Sequence, residues 1–279
     1  MQDREMFLRQ WPSGQWPTLL VNVWEKKIKP VDTLAITAVI VYLAQLSRKV
    51  ILDKFSLTKA LDFIKNRCYI NEIEGFQVWH FNSFYPPDWE DTAMAVYLLL
   101  KNGRLQLNQL EPLRKLLIQN TPENGTGVWV KDPYSKGNSK NNHWDPTTAL
   151  NVLRLHCLLE VDKVIRVNLE TFVKESLALK SFNKMTLYYT PPVAAFFAKQ
   201  LLLDFPELQS NLGKSLEGFY KDVRLAVENN QIVATSFEKS LLGIKTVLSE
   251  YDPGLIFHHG RRFNIWYGSP MLYKLAQVI

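Results

Sequence analysis

The stretch Pro86-Pro87-Asp88-Trp89-Glu90-Asp91-Thr92-Ala93-Met94-Ala95-Val96-Tyr97-Leu98-Leu99-Leu100 decides how the rest of this chain is read. Asp88, Glu90 and Asp91 sit almost side by side, and an almost wholly apolar segment follows them. The prolines disfavour helix before Asp88, whereas an acid at a helix start accepts free backbone N–H bonds and complements the positive end of the dipole. The carboxylates therefore crown a helix N-terminus. From Ala93 to Leu100 only the Tyr97 hydroxyl is polar. A helix apolar on every face is buried on every face, so the acids open onto an interior. Adjacent carboxylates in a desolvated site cannot all ionise cheaply, and at least one is expected to hold its proton at neutral pH.

The same kind of start recurs along the chain. Asp32 is expected to cap an all-apolar segment, 33–46, and Asp145-Pro146 to open another at 147–159. Further starts follow at Thr190 (193–203), Thr235 (235–248) and Ser269 (to the end of the chain). Counted from Asp32 the starts advance by 59, 54, 45, 45 and 34 residues, a quasi-repeat. Between them lie segments apolar on one side only, at 57–65, 107–119, 168–180 and 208–227. Buried helices alternating with one-faced helices predict an all-α chain, an α/α barrel (toroid) of about six inner and about five to six outer helices. No segment sustains strand alternation between hairpin turns, so no sheet is expected. Residues 1–31, where Trp11, Trp16 and Trp24 mix with Pro12, Pro17 and Pro30, read as an irregular, aromatic-rich opening to a single 1–279 domain.

Aromatic residues make up 12% of the chain, and many fall in connections that precede inner-helix starts. Trp79, His80 and Tyr85 precede the acid cluster, with Trp89 inside it. Trp129, His143 and Trp144 precede Asp145, Tyr188 and Tyr189 precede Thr190, and Trp266 and Tyr267 precede Ser269. Gathered at the end where the acids lie, these residues are read, together with Asp145, as the lining of a binding cavity.

A net charge of +6 suits an anionic ligand or an anionic membrane surface, yet no arginine-rich run or nucleic-acid motif is present. Cys68 and Cys157 lack metal-ligand spacing and fit a reducing compartment. The first residues lack the apolar core of a signal peptide, and the longest apolar run, 34–46, is shorter than the ~20 residues a bilayer needs. A cytoplasmic protein, with contact limited to the membrane periphery, is the expectation.

Asp88-Trp89-Glu90-Asp91-Thr92-Ala93-Met94-Ala95 resembles the Asp-x-Asp-Asp-Thr-Ala motif of class II terpene cyclases, the squalene-hopene cyclases and copalyl diphosphate synthases. Ser13-Gly14-Gln15-Trp16 and Gly127-Val128-Trp129 are similar to the glycine-aromatic elements of that family. The resemblance implies an α/α barrel in which the middle acid, Glu90 in place of the usual Asp, protonates an alkene, with Asp88 and Asp91 beside it. It also implies a linear polyisoprenoid substrate and aromatic rings that stabilise carbocations. No cofactor is implied; Mg²⁺ enters only where the substrate carries a diphosphate, which Arg261, Arg262 or Lys131 would meet. Usual members have two or three domains, whereas this chain has room for one.

Two other readings stand beside it. An α/α-barrel glycoside hydrolase needs a second acid roughly 5 to 10 Å from the first, and Asp145 is the best candidate. A catalytically inactive barrel that binds a lipid or a partner fits the replacement of the middle Asp by Glu90. Protein prenyltransferase β-subunits share the barrel but hold zinc with Asp, Cys and His, and neither cysteine sits at an inner-helix start.

Overall fold

Caps and apolar periodicity place the helices close to where the sequence puts them. The computed structural model describes residues 9–22, 27–47, 52–81, 86–121, 130, 145–178, 182, 189–246, 255–258, 265–276 and 278. Two strands, β1 (Thr18–Asn22) and β2 (Lys27–Val31), lead into α1 (Leu34–Leu46) and α2 (Lys54–Asn66). A short pair, β3 (Cys68–Ile70) and β4 (Gln77–Trp79), precedes α3 (Trp89–Lys101), and a 3-10 turn leads into α4 (Glu111–Asn120). Next come α5 (Pro146–Leu158), α6 (Lys163–Ser176), α7 (Pro191–Asp204) and α8 (Gln209–Glu228). The chain continues through α9 (Ser236–Leu241), β5 (Leu255–His258), β6 (Ile265–Gly268) and α10 (Pro270–Ala276).

Two kinds of helix alternate. In α1 every residue from Leu34 to Leu43 is buried, and in α5 every residue from Pro146 to His156. By contrast α8 buries a single stripe that includes Leu212, Leu216, Phe219, Val223 and Val227. Burying such side chains contributes about 1.5–3 kcal/mol each, against backbone ordering that costs about 1–2 kcal/mol per residue. The stripe holds this 20-residue helix in place only because a neighbour covers it.

Six helices pack on one another in a cycle: α1 on α3, α3 on α5, α5 on α7, α7 on α9, α9 on α10, and α10 back on α1. The one-faced helices lie against them, α2 on α1 and α3, α6 on α5, and α8 on α6 and α7.

The molecule is mostly helical, but it also contains sheet, which corrects the expectation that no strand competes. Four strands in the order β2-β1-β6-β5 form an antiparallel sheet, and β3 pairs with β4. In the β1–β6 register Leu19 faces Gly268 and Asn22 faces Ile265, so residues near the two ends of the chain are partners. Because β2 feeds α1 and β6 feeds α10, the sheet fastens the first and last helices of the cycle. Pro30, which cannot donate to a ladder, lies on the edge strand β2.

Two further expectations are corrected. Thr33, and not Asp32, is the N-cap of α1; Asp32 instead forms an ion pair with Arg67 at the end of α2. Helix α9 stops at Leu241, short of the expected 248, because Gly243 turns left-handed (φ 67°) and Ile244 donates its N–H back to the Lys239 carbonyl at 2.9 Å.

The opening segment is also better tied down than its composition implied. Gln10 Nε2 donates to the carbonyls of Gly14 (2.7 Å) and Ser56 (2.8 Å), Trp16 N–H to Thr37 Oγ1 (3.0 Å), and the Thr18 and Thr33 hydroxyls meet at 2.6 Å. Gly14 has φ 95°, and a Cβ there would lie 2.1 Å from the Lys59 carbonyl oxygen. Gly14→Ala is therefore expected to lower stability by at least the roughly 1–3 kcal/mol of a strained backbone position, measurable by denaturant titration.

Candidate active site

The acids are held by the backbone they cap. Asp88 is the extended N-cap of α3, and its Oδ1 accepts the Asp91 N–H at 2.7 Å. The Thr92 hydroxyl donates to the Asp88 carbonyl at 2.6 Å and accepts the Trp79 N–H at 3.0 Å, while Asp88 N–H donates to the Trp79 carbonyl at 3.1 Å. Strand β4 and the first turn of α3 thus form one rigid unit. On the neighbouring helix Asp145 caps α5, its Oδ1 accepting Thr147 N–H at 2.8 Å and Thr148 N–H at 3.2 Å.

Because α3 and α5 pack side by side with their capped ends together, Asp145 joins the cluster. Burial pushes the Glu90 carboxyl well above the usual carboxylate range, and the charges of Asp88 and then Asp145 push it further. Asp91 is raised in the same way, by burial first and then by the charges of Asp88 and Glu90. Asp88 is raised only to about 6, because N–H donors and the Asp91 carboxyl bond to it and oppose its burial. Among the three the negative charge therefore rests most easily on Asp88, and burial favours the neutral form of Glu90 and Asp91. Asp88, Asp91 and Asp145 are buried, whereas Glu90 keeps part of its residue surface accessible.

The resemblance sets Asp88 and Asp91 beside Glu90, whereas the charges that act on Glu90 are those of Asp88 and Asp145. Asp88, Glu90 and Asp91 titrate higher folded than unfolded, so between about pH 4 and their raised values the folded state binds more protons. The sign is that their contribution to stability falls as pH rises through that window. The thermal midpoint is expected to rise between pH 7 and pH 5, and to rise less in Glu90→Gln.

Of the remaining sequence candidates, Trp79 is buried and donates Nε1–H to the Ile64 carbonyl at 2.8 Å, which ties its ring to α2. His80 is half-buried, with its ring edge-on to Tyr69 at 5.7 Å between centroids. Trp89 is buried in the first turn of α3. Tyr189 is buried and edge-on to Phe197 of α7 at 6.0 Å. Trp266 and Tyr267 belong to β6, paired with Val21 and Leu20. Tyr85, Trp129, His143, Trp144 and Tyr188 lie outside the described residues, as do Lys131, Arg261 and Arg262.

Sequence reasoning missed a second polar centre. Arg154 of α5, 1% exposed, pairs with Asp204 at the end of α7. The same carboxylate accepts the hydroxyls of Tyr42 from α1 (3.1 Å) and Tyr97 from α3 (3.0 Å). The guanidinium lies 5.1 Å from the Tyr42 ring and 4.9 Å from the Tyr97 ring. Tyr42 in turn packs edge-on to Tyr97 at 5.5 Å and near Phe197 at 6.0 Å. These residues come from the C-terminal halves of α1, α3, α5 and α7, so the four helices run parallel and the aromatic cluster lies across from the acid end. The available signal was the spacing Thr147-Asn151-Arg154, a polar i, i+4, i+7 stripe down a mostly apolar helix.

Among the described residues no group of three or more His, Cys, Asp or Glu side chains is arranged to hold a metal ion, and no helix is long and apolar enough to cross a membrane. No family model, curated protein or solved structure matches the chain. The chemistry of the site is therefore read from its own groups: a Glu90 carboxyl that burial and neighbouring charge push toward its neutral form, a neighbour in Asp88 that keeps its charge more readily, and a second acid, Asp145, on the adjacent helix.

Proposed function

We propose that this chain is a class II, protonation-initiated cyclase of a linear polyisoprenoid, built as a single α/α barrel, with Glu90 as the general acid. The observation that carries the reading is the placing of Glu90 beside Asp88 and Asp145 at the start of a helix whose neighbours are apolar, where burial and both charges push its carboxyl above the usual range. Alkene protonation needs an acid that is neutral and strong for its surroundings, and burial of the carboxyl beside Asp88 and Asp145 favours the first of these. Asp88 supplies negative charge that favours the proton on Glu90, and Asp91, whose own carboxyl is pushed toward the neutral form beside it, can return a proton to Glu90 once that acid has given its own to the alkene. Rings within about 6 Å of a carbocation stabilise it by about 2 kcal/mol each when desolvated; Tyr189 and Phe197 are candidates for that role.

The barrel is supported by the closed packing cycle of six helices with one-faced helices outside it. Entry of a hydrocarbon from a membrane surface is supported by exposed Ile70 and Ile73 on the β3–β4 hairpin, whose second strand leads to the acids.

A glycoside hydrolase is the second reading, favoured by Asp145 lying within electrostatic reach of Glu90. Sugars need many hydrogen-bonding partners, and the inner faces of α1, α3 and α7 offer few. Incubation of the purified protein with farnesyl, geranylgeranyl and aryl-prenyl compounds, followed by mass and NMR analysis, tests the proposal. A cyclic isomer of unchanged mass is expected. Hydrolysis of an oligosaccharide, with no prenyl compound converted, overturns it.

A further inference from the structure

We infer that Thr147 is a positioning residue for the acid: its hydroxyl is a hydrogen-bond donor to the Glu90 carboxylate, engaged as the proton leaves. This inference rests on the cyclase reading and supplies what burial does not, the strength of the acid.

The placing follows from helix geometry. Thr147 and Arg154 are seven residues apart on α5, as Glu90 and Tyr97 are on α3, and over that interval a helix returns to nearly the same face while advancing about 10 Å. At the lower level the two faces meet, with the Arg154 guanidinium 4.9 Å from the Tyr97 ring. The helices run parallel with their capped ends together, so two turns higher the same faces set Thr147 opposite Glu90. Each is the second residue of its helix, and the charge of Asp145, the cap just before Thr147, acts on Glu90.

The hydroxyl is also uncommitted. Thr147 is 0% exposed, and its Oγ1 has no hydrogen-bond partner among the described residues. Threonines deeper in helices donate to the carbonyl four residues back, as Thr92 does to Asp88 (2.6 Å) and Thr171 to Val167 (3.0 Å). In the first turn of α5 no helical carbonyl lies four residues before Thr147. Valine would fill the same shape without stranding a hydroxyl, so packing alone does not account for threonine here. Charge on Glu90 does account for it. When the Glu90 O–H bond breaks, its proton forms a C–H bond with the alkene's π electron pair, and the O–H electrons stay on the carboxylate. Loss of a proton from the cyclised cation completes the isomerisation. A donor that bonds more strongly as the carboxylate charge appears lowers this barrier without tightening the ground state.

Two measurements test this, one of them without substrate. Infrared spectroscopy follows, as pH rises, the carboxylic-acid C=O band that Glu90→Gln removes. A donor to the charged form lowers a carboxyl pKa, so in Thr147→Val the band should persist about one pH unit higher, and Thr147→Ser should titrate like wild type. In turnover, Thr147→Val should lower kcat by about 10²- to 10³-fold, the cost of one lost preorganised donor, with KM little changed and most of the rate recovered by Thr147→Ser. Thr148→Val removes a second buried, unpartnered hydroxyl, about 100° further round the helix, and should change neither band nor rate. An unshifted band in folded Thr147→Val overturns the inference, and so does Thr148→Val matching Thr147→Val; should Thr147→Val not fold, Thr147→Ala carries the same comparison. A shifted band in a protein that converts no prenyl compound leaves Thr147 paired with Glu90 and removes the cyclase reading. Conversion of a prenyl compound with an unshifted band keeps the cyclase and removes the role of Thr147.

Discussion

Glu90→Gln is expected to abolish turnover almost completely while making the protein more stable. Glutamine keeps the shape of the side chain and most of its hydrogen bonding but carries no acidic proton. Cyclisation should fall by the roughly 10²- to 10⁴-fold typical of lost general-acid catalysis, with prenyl binding retained. Stability should move the opposite way. A carboxyl whose pKa is raised by burial and by Asp88 and Asp145 is one the fold holds at a cost above the unfolded pKa. The amide removes that cost, so the thermal midpoint at pH 7 should rise and its dependence on pH between 5 and 7 should flatten. Glu90→Asp should keep measurable activity, with the carboxyl drawn back by about one bond. Parallel activity assays and melts on the same preparations check this. If Glu90 were only a solvated acid in a capped turn, both quantities would stay where they are, and an active Glu90→Gln protein sinks the mechanism.

Much of this site was legible in the sequence because local rules act on it. The prolines before Asp88, the acids behind them and the unbroken apolar run fix a capped, buried helix without reference to any other segment, and Asp145-Pro146 does the same for α5. The alternation of all-buried and one-faced helices is likewise a property of each segment alone. What was missed depends on partners far away in the chain. The five residues of β1 alternate too briefly to be told from a loop, and they become a strand because β6, some 240 residues later, lies alongside them. Asp204 reads as a helix end with an acid at the wrong pole of the dipole, and only the fold sets Arg154 and two tyrosine hydroxyls against it. The aromatic signal was only partly informative. Trp79 faces an outer helix through its indole N–H, whereas Tyr42 and Phe197, unremarkable within apolar helices, meet inside the cycle.

Asp204→Asn should be the most damaging single substitution away from the acid cluster. Arg154 is 1% exposed and Asp204 13%, so the two members of the pair do not fail equally. Losing the carboxylate leaves a guanidinium fully buried without a counter-charge, and breaking a buried pair in this way costs about 3–5 kcal/mol. An amide oxygen also cannot hold both tyrosine hydroxyls and the guanidinium together. The expected fall in thermal midpoint is roughly 10 °C for a chain of this size. Arg154→Met should cost less, since the carboxylate it strands can turn toward solvent and keeps the hydroxyls of Tyr42 and Tyr97 as donors. The double variant Arg154→Met with Asp204→Leu should recover much of the loss, because an apolar pair of similar volume can replace a buried ion pair without stranding a charge. A double-mutant cycle by chemical denaturation measures the coupling. Equal, small losses for both single variants, with no recovery in the double, would show that the two groups do not act as a pair and that the polar centre does not bind the four helices together.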